Sequence, residues 1–180
     1  HEIGHALGFE HGDLPVMAET VQPGERVLLD NNRTPGRSIV IDLREATPAD
    51  PSIGLVVSVA NDGTVSVTGF ANSSDNRADV EGVGAVIGNA VEKVTLVGPN
   101  LASDWTLQDA RIGTLTPVGL DPVVFADIQV FTGSAATNDT LAGPDLDSDW
   151  VINGAGAGFF GADNEVISFS GMSRLVGGAG

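Results

Sequence analysis

Apolar and polar positions alternate in short runs along most of the chain. Ser38-Ile39-Val40-Ile41-Asp42-Leu43 is one β-branched run, and Gly54-Leu55-Val56-Val57-Ser58-Val59 is another. The second leads through Asn61-Asp62-Gly63 into Thr64-Val65-Ser66-Val67-Thr68. There Val65 and Val67 fall on one face, with Thr64, Ser66 and Thr68 opposite, the period of a half-buried strand. An Asp-Gly pair between two such runs predicts a hairpin, because its residues accept the positive φ that a tight turn needs. A corner between stacked strands is the alternative at the same place. Two Pro-Gly pairs and Asn31-Asn32 fall between residues 23 and 37, which puts a boundary at residues 31–37. Val27-Leu28-Leu29 closes the segment before it.

A longer pattern overlies the short one. Leu96-Val-Gly-Pro-Asn-Leu-Ala-Ser-Asp-Trp105 returns 45 residues later as Leu141-Ala-Gly-Pro-Asp-Leu-Asp-Ser-Asp-Trp150. Gly88 and Thr95 map to Gly133 and Thr140 at the same spacing, while Phe125 maps to Phe169 one residue short of it. This gives two copies, residues 88–132 and 133–177, with part of an earlier copy entering near Asp79-Val80. Repeats of short strands cannot bury a face alone and gain a core by stacking. The expected fold is therefore mainly β: a parallel β-solenoid-like region over residues 38–180, or stacked strand pairs, with a β-sandwich as the alternative. Trp105 and Trp150 at matching places read as core residues, with sugar stacking on an exposed face as the other use of such a ring. These repeats resemble those of large secreted bacterial exoproteins of the filamentous-haemagglutinin and haemolysin types. That resemblance implies a surface or matrix attachment role.

Composition removes several classes of function. The 180 residues carry 8 Lys+Arg against 24 Asp+Glu, a formal charge of −16, which is the opposite of a nucleic-acid footprint. No apolar run is long enough to cross a membrane as a helix. With no Cys there is neither a disulfide framework nor a thiolate ligand. The Asp-rich turns, including Asp145, Asp147, Asp149 and Asn138-Asp139, raise Ca²⁺ as a possible ligand. They match neither the glycine-rich calcium nonapeptide nor an EF-hand loop, and Asp satisfies turn backbone in any case. Gly154-Ala-Gly-Ala-Gly158 lacks the dinucleotide fingerprint. All three His lie within the first eleven residues, so no Ser–His catalytic pair arises in the repeats.

Those first residues hold the strongest chemical signal. His1-Glu2-Ile-Gly-His5-Ala-Leu-Gly8-Phe-Glu-His11 fits H-E-x-x-H-x-x-G-x-x-H at every fixed position. On a short helix His1 and His5 share a face one turn apart and can hold one Zn²⁺ between them. Gly8 ends that helix, and the turn brings His11 back as third ligand. Three protein ligands leave a fourth position for water, the pattern of a catalytic zinc. Glu2 sits at the edge of the face, placed to take a proton from that water without ligating the metal.

The motif resembles the metzincin zinc metallopeptidases, and Met17, six residues past His11, resembles their Met-turn. The absence of Tyr brings it nearer the matrixin branch. The resemblance implies a zinc-dependent endopeptidase acting on protein or peptide substrates, with Met17 as the hydrophobic floor. It covers residues 1–30, read as the C-terminal remnant of a peptidase domain ahead of the 31–37 linker. The expected parent is a secreted or bacterial cell-surface hydrolase carrying the repeats for attachment. The sequence reads as a piece of that parent, and little peptidase activity is expected from it alone. A structural or adhesive exoprotein with a vestigial motif is the alternative.

Overall fold

The computed structural model describes residues 26–28, 39–71, 78–134, 138–162 and 165–178. Among them the regular structure is all strand, as the alternating pattern requires. The short helix expected to carry the zinc motif lies outside the described residues.

Sixteen strands follow in chain order: β1 (Arg26–Leu28), β2 (Ile39–Asp42), β3 (Leu55–Val59), β4 (Val65–Thr68), β5 (Ala78–Val80), β6 (Val83–Ile87), β7 (Val94–Val97) and β8 (Ser103–Leu107). Then come β9 (Gly113–Pro117), β10 (Val123–Ala126), β11 (Val130–Thr132), β12 (Thr140–Ala142), β13 (Asp149–Gly154), β14 (Ala157–Ala162), β15 (Glu165–Ser170) and β16 (Arg174–Val176). Period-2 burial accounts for them. In β3, Leu55, Val57 and Val59 are buried, with Val56 and Ser58 turned outward. In β8, Ser103, Trp105 and Leu107 are buried, with Asp104 and Thr106 exposed.

The strands form two eight-stranded mixed sheets, neither closed into a barrel. Sheet I runs β1-β2-β6-β10-β9-β8-β12-β16 and sheet II runs β13-β14-β15-β11-β7-β3-β4-β5. Their inner faces share one apolar cluster. Parallel register stacks this core in columns: Ile41, Val86 and Phe125 in sheet I, and Val57, Leu96, Phe131 and Phe169 in sheet II. A third column, in sheet I, is Trp105, Leu141 and Leu175. Phe125 and Phe131 meet across the sheets with ring centres 5.0 Å apart. β1 pairs antiparallel with β2 on the outer edge of sheet I.

The chain passes between the sheets in a fixed rhythm. A single strand in one sheet is followed by a three-stranded antiparallel meander in the other and a single strand back in the first. β2–β6, β7–β11 and β12–β16 are three copies of this five-strand unit. The meanders β3-β4-β5 and β13-β14-β15 lie in sheet II, and β8-β9-β10 lies in sheet I. One repeat step therefore moves a residue to the matching place in the opposite sheet: Trp105 lies in sheet I and Trp150 in sheet II. The Asp62-Gly63 turn joins β3 to β4 as a hairpin, with Val59 opposite Val65. The earlier copy glimpsed at Asp79-Val80 extends back to β2.

Side chains at the corners tie the copies together. The Asn89 amide donates to the carbonyls of Leu43, Arg44 and Ala46, in the corner between β2 and β3. The Gln129 amide donates to the Asn89 carbonyl at 2.7 Å, and its oxygen accepts the Val94 N–H at 2.7 Å. At another set of turns the Asn100 N–H donates to Asn61 Oδ1, and the Ser134 hydroxyl donates to Asn100 Oδ1. The Asn89 and Gln129 bonds satisfy polar groups that stacking would otherwise strand, while the Asn61, Asn100 and Ser134 bonds link exposed turns.

Candidate functional site

His1, Glu2, His5, Gly8, His11 and Met17 all lie outside the described residues. Among the described residues there is no group of three or more His, Cys, Asp or Glu side chains that could hold a metal ion. The described geometry lies in the strands and turns of the repeats.

The Leu-x-Gly-Pro and Ser-Asp-Trp segments of each copy meet at one packing contact. A Cβ built on Gly98 would lie 2.7 Å from Trp105 Cζ2, and one on Gly143 would lie 2.8 Å from Trp150 Cζ2. The glycine is thus required by the indole that rests on it. In the first copy the corresponding places hold Leu43 and Val57, both buried, with Val57 opposite Leu96 as Trp105 is opposite Leu141. Gly with Trp, or Leu with Val, fills the same layer.

Trp105 is fully buried and packs on Phe125 and Phe131, with ring centres 6.3 Å and 5.7 Å away. It is a core residue. Its indole N–H is buried without a hydrogen-bond partner, a cost of about 1–3 kcal/mol that the packing offsets. Trp150 packs against Phe160 at 4.8 Å and Phe169 at 5.7 Å but stays half-buried. Ile152, which matches the buried Leu107, is 53% exposed. The difference is coverage: β8 is flanked by β12, whereas among the described residues β13 is the last strand of sheet II. The outer face beside it carries Val151, Phe159 and Val166, all exposed.

The Asp-rich turns divide by role. Asp139 is fully buried, and its Oδ1 accepts the Ser103 N–H at 2.9 Å while Oδ2 accepts the Ser134 N–H. Its carbonyl accepts the N–H groups of Ser173 and Arg174. This one residue ties the starts of β8 and β16 to the β11–β12 turn, so its carboxylate serves backbone. Asp145, Asp147 and Asp149 are exposed. The sequence placed Asn138-Asp139 among the acidic turns, and spacing alone held no sign that Asp139 was buried.

Two exposed carboxylates are shifted by local bonds. The Ser52 hydroxyl and then its N–H hold Asp50 below the usual carboxylate value. The Thr64 N–H, 2.9 Å from Asp62 Oδ1, does the same for Asp62 in the β3–β4 turn. Asp42 grips the Arg44 guanidinium and raises its pKa.

Neither family models, nor curated proteins, nor solved structures give a match to this chain.

Proposed function

We propose that the chain joins a metzincin-type zinc peptidase segment to a β-repeat array that attaches it outside the cell. One observation carries the peptidase reading: every His of the chain occupies a ligand position of H-E-x-x-H-x-x-G-x-x-H. The donor set fits zinc, since His1, His5 and His11 offer three neutral imidazoles and leave a place for water. Zinc held there supplies the positive charge that makes a water acidic near pH 7. Glu2 would act as the general base, accepting a proton from the attacking water and passing it to the leaving amine. By its resemblance to a Met-turn residue, Met17 would serve as the apolar floor of the site. A protein or peptide is the substrate, and the array holds the catalytic segment near it.

The array itself reads as a solenoid-like stack. Its support is the five-strand unit that recurs in alternate sheets, each copy burying the face that the last one leaves. A second reading, a structural or adhesive exoprotein with a vestigial motif, is favoured by the amount of chain given to that stack and by its exposed acidic turns.

Hydrolysis of a mixed-sequence peptide library by the longer parent protein, with its full peptidase domain, separates the two. The peptidase reading expects cleavage that Glu2→Gln reduces by about 10²-fold or more, in line with loss of a general base, while bound zinc is unchanged. Zinc retained by both proteins with no cleavage by either favours the adhesive reading.

A further inference from the structure

We propose that Asn153, beside the turn of the β13–β14 hairpin, is a self-modification site: it loses its side-chain amide through a cyclic imide formed with Gly154, leaving aspartate and isoaspartate in its place.

The step needs an asparagine whose Cγ can be reached by the backbone nitrogen of the next residue. Glycine permits that approach, because it has no Cβ in the way and its backbone turns freely. Asn153-Gly154 is the one Asn-Gly pair in the sequence. The Gly154 nitrogen attacks the Asn153 Cγ, and a new C–N bond forms. The bond from Cγ to the side-chain nitrogen breaks, and that nitrogen leaves as ammonia, carrying the proton that Gly154 gives up. Water then opens the imide at either carbonyl. One opening gives aspartate, and the other gives isoaspartate, with the backbone routed through the former side chain. Nothing is oxidised or reduced.

The fold leaves this pair open to the reaction. Ile152 pairs with Gly158 and Gly154 with Ala157, so Asn153 is the extra residue of an irregularity in β13. Its side chain is exposed and holds no hydrogen bond among the described residues. Only the end pair of the hairpin has to open for the Gly154 nitrogen to turn toward Cγ, and ladder ends open most readily. The exposure belongs to the hairpin and not to the sheet edge. Gln108, at the matching place of the preceding copy, is also exposed, although β12 pairs with β8 there.

The Asp62-Gly63 turn shows the protected arrangement. The Asp62 carboxylate accepts the Thr64 N–H at 2.9 Å, a bond that favours its ionised form. An ionised carboxylate is a poor acceptor for a nitrogen nucleophile. Asn61, Asn89 and Asn100 engage their side chains in hydrogen bonds between turns, and none of them precedes glycine.

The test ages the full chain in warm, mildly alkaline buffer and maps its peptides by mass, with isoaspartate identified by enzymatic carboxyl methylation. Conversion is expected at Asn153 ahead of Asn61, Asn89, Asn100 and Asn138, as a mixture of aspartate and isoaspartate. Gly154→Ala should slow it by about tenfold or more. That variant should fold normally, since a Cβ at Gly154 meets the Ala157 Cβ at 3.6 Å, an ordinary contact. Asp62 should stay unconverted until urea unfolds the chain. No conversion at Asn153, or conversion no faster than at Asn100 and Asn138, overturns the proposal. Aspartate without isoaspartate also overturns it, because direct hydrolysis of the amide passes through no imide. So does an equal rate in Gly154→Ala, since the glycine would then play no part.

Discussion

At the scale of single residues, the repeat is held by what its glycines leave out. Gly98 and Gly143 stand in equivalent positions under Trp105 and Trp150, but the two indoles differ in their freedom to move. Trp105 is locked among Phe125 and Phe131, while Trp150 faces solvent on one side. Gly98→Ala should therefore cost about 1–3 kcal/mol, the range of an overpacked core, and Gly143→Ala clearly less. Urea unfolding of both variants checks this, and equal losses would contradict the packing account. Charge at Asp62 gives a second expectation. Its pKa is lowered in the fold by the Thr64 N–H, so its contribution is present above the ordinary carboxylate value of 3.8 and fades as pH falls through the lower folded value. Asp62→Ala should thus be less stable than the parent at pH 7, and the gap should narrow by pH 3. A gap that held constant across this range would mean the carboxylate's charge contributes nothing.

Elements were legible where local chemistry set them and obscure where packing did. Val65 and Val67 declared a strand face, and Asp62-Gly63 declared the turn that joins β3 to β4. Trp105 read as core because its motif recurred. Only the end of the first copy, at Asp79-Val80, was legible, because Leu43 and Val57 replace Gly and Trp in its earlier part. The summed volume is kept, but the letters that mark the repeat are gone. The spacing also could not reveal that successive copies change sheets, since a strand's alternation is the same in either. Burial of Asp139 was hidden for a similar reason: its partners Ser103 and Ser134 come from elements brought together only by stacking. Removing that carboxylate strands the buried Ser103 N–H and the part-buried Ser134 N–H. Asp139→Ala should lower stability by about 2–4 kcal/mol, and hydrogen exchange should speed up at Ser103 and Ser134 before the rest of the two sheets. Uniform exchange across the sheet would deny it this role.

On the scale of the whole molecule, the chain divides its labour. Strands and corners account for the array and its stacked core. The zinc reading rests on His1, Glu2, His5, His11 and Met17, and its strength lies in residue identity at fixed spacing. The two parts make different demands on the same protein. Loss of a ligand should abolish metal binding and leave the array folded, because none of its columns includes a histidine. Zinc content per chain after exhaustive dialysis, measured on the parent and on His5→Ala with circular dichroism recorded on both, tests this most directly. The account predicts one equivalent in the parent, none in the variant, and the same β spectrum for each. No zinc in the parent, or zinc that survives His5→Ala, would contradict it.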